Sequence, residues 1–406
     1  MLHADPDRPP IAPTRTRSRV TSSPAAKRTA SSPPGPLHAV QLVGGGSHGS
    51  GVHVRSLAAG LVARGVRVTV VATPRAARLY GFADAGAQVA RIPTGRGAQA
   101  RTLAVVRAAC AGADLVHAHG SRAALLARLV LGRDVRRTPL VVTWHTRPYA
   151  EGAKARVQPL LQRRVARSAR VLLGASTDLV DEARRHGARD ARLGPVAAPA
   201  PRLPQQLDDR ARQKARAELG AVGRPLLLTA GRLEPGQGHE PLLDAARIWR
   251  SLDPPPLLAI AGEGSQRAVL QQRIDAEKLP VRLLGCREDL GDLLGVADVA
   301  VLPSRWEARS LLAQEALYAG APLVATAVGG VPEQVGEAAE LVPYGDAQAL
   351  ATAVARLLRE PQRCAELAAA GRARTEHWPT EDDTVAQVLS VYDEIVDAEP
   401  RRTRSF

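Results

Sequence analysis

At 406 residues the chain can hold two or three domains, each with its own core. Its 45% apolar content is globular and excludes a wholly disordered protein, and no apolar run reaches the roughly 18 residues of a membrane span. The formal charge of +15 invites a nucleic-acid reading, but aromatics at 3% leave little to stack on bases and no nucleic-acid motif is present, so nucleic acid is not the expected partner.

The positive charge is almost all arginine, since Lys27, Lys154, Lys214 and Lys278 are the only lysines. It suits an acidic small molecule or an anionic membrane face. Cys110, Cys286 and Cys364 lie far apart with no metal-type spacing, which argues against disulfides and zinc. The polar, Pro-rich start lacks the apolar stretch of a secretion signal. A cytoplasmic location is expected, with the inner membrane face as a candidate peripheral site.

Residues 1–36 are rich in Pro, Ser, Thr and Arg without periodicity and read as a disordered basic tail. Short apolar runs then alternate with amphipathic segments, predicting strands over 38–43, 66–72, 88–92, 114–119, 140–144 and 171–174. Helix 52–64 covers the first pair. Helix 153–168 sets Val157, Leu160, Leu161 and Val165 on one face among Arg156, Arg163, Arg164 and Arg167. The expectation is a sheet-covering helix, the alternative one that lies on an anionic bilayer.

A Pro/Ala-rich break over 194–204 reads as a linker, after which the alternation restarts. Strands are predicted at 225–230, 257–261, 281–285, 298–302 and 322–326, with helices at 240–252, 266–279, 289–296 and 310–318. Terminal helices follow at 347–359, 361–374 and 382–396. This βαβα order predicts two α/β, doubly wound, Rossmann-like domains over 37–204 and 205–380, a last helix at 381–398 and a basic tail at 399–406.

The first strand opens into Gly44-Gly45-Gly46-Ser47-His48-Gly49, a G-x-G-x-x-G in the strand–loop–helix context it needs. A dinucleotide site would carry an acid at the end of the next strand, where Val71-Ala72-Thr73-Pro74 has none. The loop therefore reads as amides able to approach a phosphate, or as a tight turn. Two further strand ends carry histidines, His117 and His119 on one, His145 with Thr146 on the next. They are structural, or they converge on a cleft. We expect His117 and His119 to face opposite sides of their strand, which disfavours joint ligation, so no metal is expected.

In the second half, strand 225–230 leads into Gly231-Arg232-Leu233, and strand 298–302 leads into Pro303-Ser304-Arg305-Trp306-Glu307. Glu315 follows eight residues later on a helix that Ser310 can cap. Ionised carboxylates at the carboxyl ends of strands can accept hydrogen bonds from a polyhydroxylated ligand, and helix amides can face an anion. The alternative is two solvated acids. Gly320-Ala321-Pro322-Leu323 and Gly329-Gly330-Val331-Pro332-Glu333 complete the stretch.

Pro-Ser-x-x-Glu, the second Glu, Gly-x-Pro-Leu-Val-Ala-Thr and Gly-Gly-x-x-Glu together resemble the donor-site signature of the family 4 retaining glycosyltransferases. The resemblance extends more weakly over 37–395. It implies the GT-B fold, two Rossmann-like domains facing across a donor site, with the last helix crossing back onto the first domain. It assigns Glu307 to the donor sugar, Glu315 to the ribose, Arg232 to the diphosphate, and Gly45 and Gly46 to the β-phosphate. Ala308, Arg309, Ser310 and Leu311 complete the donor loop, Cys286 and Arg287 flank the nucleobase, His119 approaches the reacting centre, and His145 and Thr146 lie on the acceptor side.

The function implied is a metal-independent, cofactor-free hexosyltransferase. It would move a sugar from a nucleotide-sugar to a saccharide or lipid-linked acceptor with retention, in envelope or lipid-linked glycan synthesis. The one Asp-x-Asp, Asp5-Pro6-Asp7, lies in the tail. Two departures stand out. Gln237 occupies the position of an expected Lys, and Glu307-Ala308-Arg309-Ser310 replaces Glu-Gly-Phe-Gly. Arg309 is expected either to enter the pocket and restore the charge or to point outward. The departures leave open a catalytically silent binding or regulatory protein, beside a GT-B epimerase.

Overall fold

Runs of three to six mostly aliphatic residues form parallel strands, most of them buried on both faces, as helix-covered sheets require. The computed structural model describes residues 35–44, 48–95, 97–132, 137–147, 153–194, 196–197 and 208–397. The predicted tails, most of the predicted linker, and Gly45 and Gly46 lie outside the described residues.

The first sheet contains β1 (His38–Val43), β2 (Arg67–Ala72), β3 (Gln88–Arg91), β4 (Leu115–His119), β5 (Leu140–Trp144), β6 (Val171–Gly174) and β7 (Ala191–Leu193), in spatial order β3-β2-β1-β4-β5-β6-β7. Its helices are α1 (His48–Ala63), α2 (Pro74–Tyr80), α3 (Gln99–Cys110), α4 (Ser121–Leu131), α5 (Ala153–Ser168) and α6 (Thr177–Arg185). The second sheet contains β8 (Leu226–Ala230), β9 (Leu257–Ala261), β10 (Val281–Gly285), β11 (Val299–Leu302), β12 (Leu323–Thr326) and β13 (Glu340–Val342), ordered β10-β9-β8-β11-β12-β13.

The remaining helices are α7 (Asp209–Leu219), α8 (His239–Trp249), α9 (Arg267–Glu277), α10 (Leu290–Val296), α11 (Leu311–Ala319), α12 (Val331–Val335), α13 (Ala347–Leu357), α14 (Pro361–Glu376) and α15 (Glu381–Asp397). The short edge strands β7 and β13 escape sequence reading. Three residues at a sheet edge carry too little alternation to register.

Each sheet reverses its winding once, between β1 and β4 and between β8 and β11. These switch points are where ligands of doubly wound sheets bind. Side chains alternate across the first sheet: Ala39 and Val43 pack on one face, Val40 and Leu42 on the other. The last helix, α15, lays Val385, Val388, Val391, Tyr392 and Ile395 into the first sheet's core, at helical spacing. Gly60 of α1 allows this approach, since a Cβ there would sit 2.4 Å from a Val385 methyl. Each aliphatic side chain so buried contributes about 1.5–3 kcal/mol.

Helix α5 corrects the sequence expectation. Its buried residues are Gln162, Val165 and Ala166, while Val157, Leu160 and Leu161 are 51%, 66% and 41% exposed. Half of the apolar stripe therefore faces outward, among the exposed arginines 156, 163, 164 and 167.

Candidate active site

Arg232, Gln237 and the Glu307 loop gather where β8 and β11 end, while Cys286 and Arg287 follow the edge strand β10. Gly231-Arg232-Leu233 leaves β8 with Leu233 fully buried in the core and the Arg232 carbonyl bonded to His239 Nε2 at 3.1 Å. Arg232 itself projects outward, with no hydrogen bond or ion pair among the described residues. Gly262 and Gly264 abut this turn: their Cβ atoms would lie 1.8 Å from the Gly231 carbonyl oxygen and 2.3 Å from that of Leu233. The Gly-Glu-Gly motif therefore serves packing, holding the backbone that aims Arg232.

Gly238 has φ +81°, and a Cβ there would meet the Pro303 carbonyl oxygen at 1.8 Å. The Arg232 turn and the Glu307 loop consequently pack backbone to backbone. Ser304 Oγ donates to Glu307 Oε1 at 3.1 Å. Burial raises the Glu307 carboxyl to about 7, opposed by the Ser304 bond and by the Arg232 charge. That Arg232 acts on Glu307 places both groups in one field. Glu315, on α11, is also raised by burial.

Ser310 caps α11, its Oγ accepting from Ala313 N at 3.3 Å. Its own N–H donates to Gln334 Oε1 at 2.8 Å, and Gln334 Nε2 donates back to its carbonyl at 2.9 Å. The Ser310 amide is thus taken, a correction to its expected donor role. The Leu311 and Leu312 amides remain unpartnered among the described residues. Ala308 is 2% exposed, its methyl packed into the first sheet's core, so only its backbone can serve a ligand.

Arg309 is corrected more sharply. Its guanidinium lies over the Trp378 ring, 5.5 Å from the centroid, with Glu333, Tyr318 and Arg374 as its charged or ionisable neighbours. None of these contacts points to a diphosphate. Gln237 stands beside Gly231, its Oε1 3.9 Å from where a Gly231 Cβ would lie. Arg287 is paired with Asp289, and Cys286 is exposed beside it.

The first sheet carries its own cluster, of histidines. His117 and His119 share one face of β4, ring centroids 4.3 Å apart, which overturns the expectation of opposed directions: residues two apart on a strand project to the same side. His117 is fully engaged, with Nδ1 at 2.7 Å from Tyr392 Oη and Nε2 at 2.7 Å from Thr143 Oγ1. Gln41 Nε2 donates to Tyr392 Oη at 2.7 Å, and Gln41 Oε1 lies 2.8 Å from His119 Nε2. His119 Nδ1 lies 3.1 Å from His145 Nε2. Thr146 is exposed beside them.

Burial holds these imidazoles neutral, with His117 down to about 3 and His119 and His145 well below the ordinary range. A fourth, His53 of α1, is 2% exposed and lowered to about 4 by burial. Sequence reading missed His53, Gln41 and Tyr392. The available signal was a polar residue on an apolar face: Gln41 inside β1, and His53 next to Val54 just past the glycine loop.

The two halves also touch directly. Thr177, at the start of α6, donates through N and Oγ1 to Glu333 Oε2 at 3.2 and 2.8 Å. Gly329 and Gly330 let α12 reach this position, since Cβ atoms there would meet the Glu307 and Ala308 carbonyl oxygens at 2.1 and 2.2 Å. The Gly-Gly-x-x-Glu motif is thus a joint between the halves.

Two Rossmann-like sheets, with His119 at the end of β4 and Arg232 and Glu307 just past the ends of β8 and β11, define the GT-B class. The profile "Glycosyl transferases group 1" matches residues 211–374, and "Glycosyl transferase 4-like domain" matches 48–198. The chain is 31% identical over 287 residues to the 2-deoxystreptamine N-acetyl-D-glucosaminyltransferase of Streptomyces fradiae, covering 64% of this chain and 68% of the relative. It is 29% identical over 308 residues to the D-inositol 3-phosphate glycosyltransferase of Jonesia denitrificans, covering 69% of this chain and 71% of that one. Among solved structures, Anabaena Alr3699/HepE in complex with UDP and glucose superposes with a TM-score of 0.75 at 20% identity, over 88% of this chain and all of that one. The chain belongs to the group 1 glycosyltransferases.

Proposed function

We propose that this glycosyltransferase moves a hexosyl unit from a nucleotide-diphosphate sugar to an acceptor hydroxyl, with retention at the anomeric carbon. The observation that carries the reading is the meeting of Arg232 and the half-buried Glu307 past the ends of β8 and β11. Glu307 accepts from donor-sugar hydroxyls, Glu315 from the ribose, and Arg232 neutralises the diphosphate without help from a metal on the phosphates. The bond from the anomeric carbon to phosphate oxygen breaks with its electron pair on the phosphate. The acceptor oxygen bonds to the same face and gives its proton to that phosphate.

The relatives support a sugar-nucleotide donor: one is a GDP-mannose-dependent mannosyltransferase of Mycolicibacterium smegmatis, and the Anabaena structures hold UDP and UDP-glucose. Incubation with a panel of UDP- and GDP-sugars, with saccharide and lipid-linked acceptors, should release nucleotide, and Glu307→Ala should abolish that release. Release unchanged in Glu307→Ala would refute the assignment.

For the acceptor we propose an envelope or lipid-linked glycan on the cytoplasmic membrane face. No described helix is long and apolar enough to cross a membrane. The outward Val157, Leu160 and Leu161 amid arginines suit an anionic bilayer surface. Anionic vesicles should sediment the protein at low salt, and failure to do so removes the membrane part. A second reading, donor binding without turnover, draws on Gln237 and on Arg309 stacked against Trp378: the diphosphate then meets one cation fewer than the family pattern supplies. Tight nucleotide binding with no release under any acceptor would favour it.

A further inference from the structure

Three of the four clustered histidines bring ring nitrogens together, with one N···N hydrogen bond between His119 and His145. In this amide orientation Gln41 Oε1 accepts from His119 Nε2, which leaves His119 Nδ1 unprotonated, and that atom lies 3.1 Å from His145 Nε2. Completing the set, His53 Nδ1 is buried and has no hydrogen-bond partner, its ring being engaged elsewhere by the Ala197 backbone. The ligating atoms of His53, His119 and His145 all lie within 4.8 Å of one another. His117 is excluded, because Tyr392 and Thr143 occupy both its nitrogens.

We propose that His53, His119 and His145 form a three-histidine site for a zinc-type divalent ion, with a fourth position open to water or a ligand oxygen. Nitrogens about 3.3 Å apart are what Zn–N bonds of about 2.0–2.1 Å require around a tetrahedral ion. An all-imidazole set favours zinc, cobalt, nickel or copper over magnesium and calcium. The far nitrogen of His119 held by Gln41, and the His53 ring held by a backbone group, are the outer partners that orient ligating histidines. His145, the most open of the three, provides the entry path. The site rests on ring geometry alone and is independent of the cations assigned to the diphosphate.

Untagged full-length protein, stripped with chelator and titrated with Co²⁺, should bind one equivalent. The visible bands should be those of a four-coordinate nitrogen site without thiolate charge transfer, and Zn²⁺ should displace them. His145→Ala, at the accessible edge, and the double variant with His53→Ala should lose at least tenfold in affinity, with circular dichroism confirming the fold. Gln41→Leu should weaken binding about 10- to 100-fold at unchanged stoichiometry. Wild type binding Co²⁺ no more tightly than His145→Ala, or a Co²⁺ spectrum with thiolate bands, would overturn the site. The histidines would then be hydrogen-bonding groups for the donor.

Discussion

Trp306 donates its indole N–H to Asp178 Oδ2 at 3.0 Å across 128 positions of sequence. The donor immediately precedes Glu307, and the acceptor sits in the first turn of α6, so one hydrogen bond ties the Glu307 loop to the first sheet's half. Arg147 covers it, 5.7 Å over the Trp306 ring and 3.7 Å from the same Asp178 oxygen. A cycle of Trp306→Phe and Asp178→Ala in denaturant unfolding should give a coupling of about 1 kcal/mol, below the range of about 1.5–3 kcal/mol for a charged hydrogen bond because Asp178 is partly open. Coupling near zero would mean that the contact is incidental.

Glu307 makes ligand-free stability depend on pH. Its carboxyl titrates at about 7 in the fold against 4.5 ordinarily, so the folded state holds a proton that the unfolded state gives up. The contribution is complete below pH 4.5 and is lost as pH rises through about 7. Glu307→Gln should therefore be more stable than the parent at pH 8, by an upper bound of about 3 kcal/mol, and show no advantage at pH 4. Urea unfolding at the two pH values measures the difference.

In the proposed function Arg232 faces the diphosphate and Gln237 stands where a second cation would. Arg232→Ala should weaken nucleoside-diphosphate binding by about 10- to 100-fold, one lost charge-assisted contact at 1.5–3 kcal/mol. Gln237→Lys should tighten it several-fold, more strongly at low salt. Calorimetric titration with UDP and GDP reads both. A Gln237→Lys variant that binds no better would place residue 237 outside the phosphate field.

Gly238→Ala should be the most damaging single methyl in the site. It combines a left-handed backbone with a clash against the Pro303 carbonyl. A loss of more than about 3 kcal/mol is expected, with donor binding falling in parallel because the Arg232 turn and the Glu307 loop must separate. Thermal unfolding and nucleotide titration on the same preparation test the pairing of the two losses.

The strands that carry Arg232 and Glu307 were legible because they are continuous aliphatic runs ending in glycine or proline, and the motif residues sit at those ends. The histidine cluster was legible only in part. His53 lies on a helix, and its convergence with β4 and β5 depends on how far α1 leans over the sheet, which no local pattern encodes. The direction of His117 relative to His119 follows from strand geometry alone and was misjudged. The exposed half of α5 was read as buried because helical period gives a stripe without saying which way it points. Arg309 could not be placed without Trp378, sixty-nine residues away.

The hydroxyl of Tyr392 bonds both Gln41 and His117, and Gln41 in turn orients His119. His117 and His119 thus take their tautomers from a residue of the last helix. The front and back halves of this enzyme are therefore not exchangeable modules. A chimera that joins its first sheet to the second half of a relative replaces Tyr392 with whatever that relative's last helix carries. Altered donor selectivity in such hybrids would report on the imported tail as much as on the imported nucleotide site.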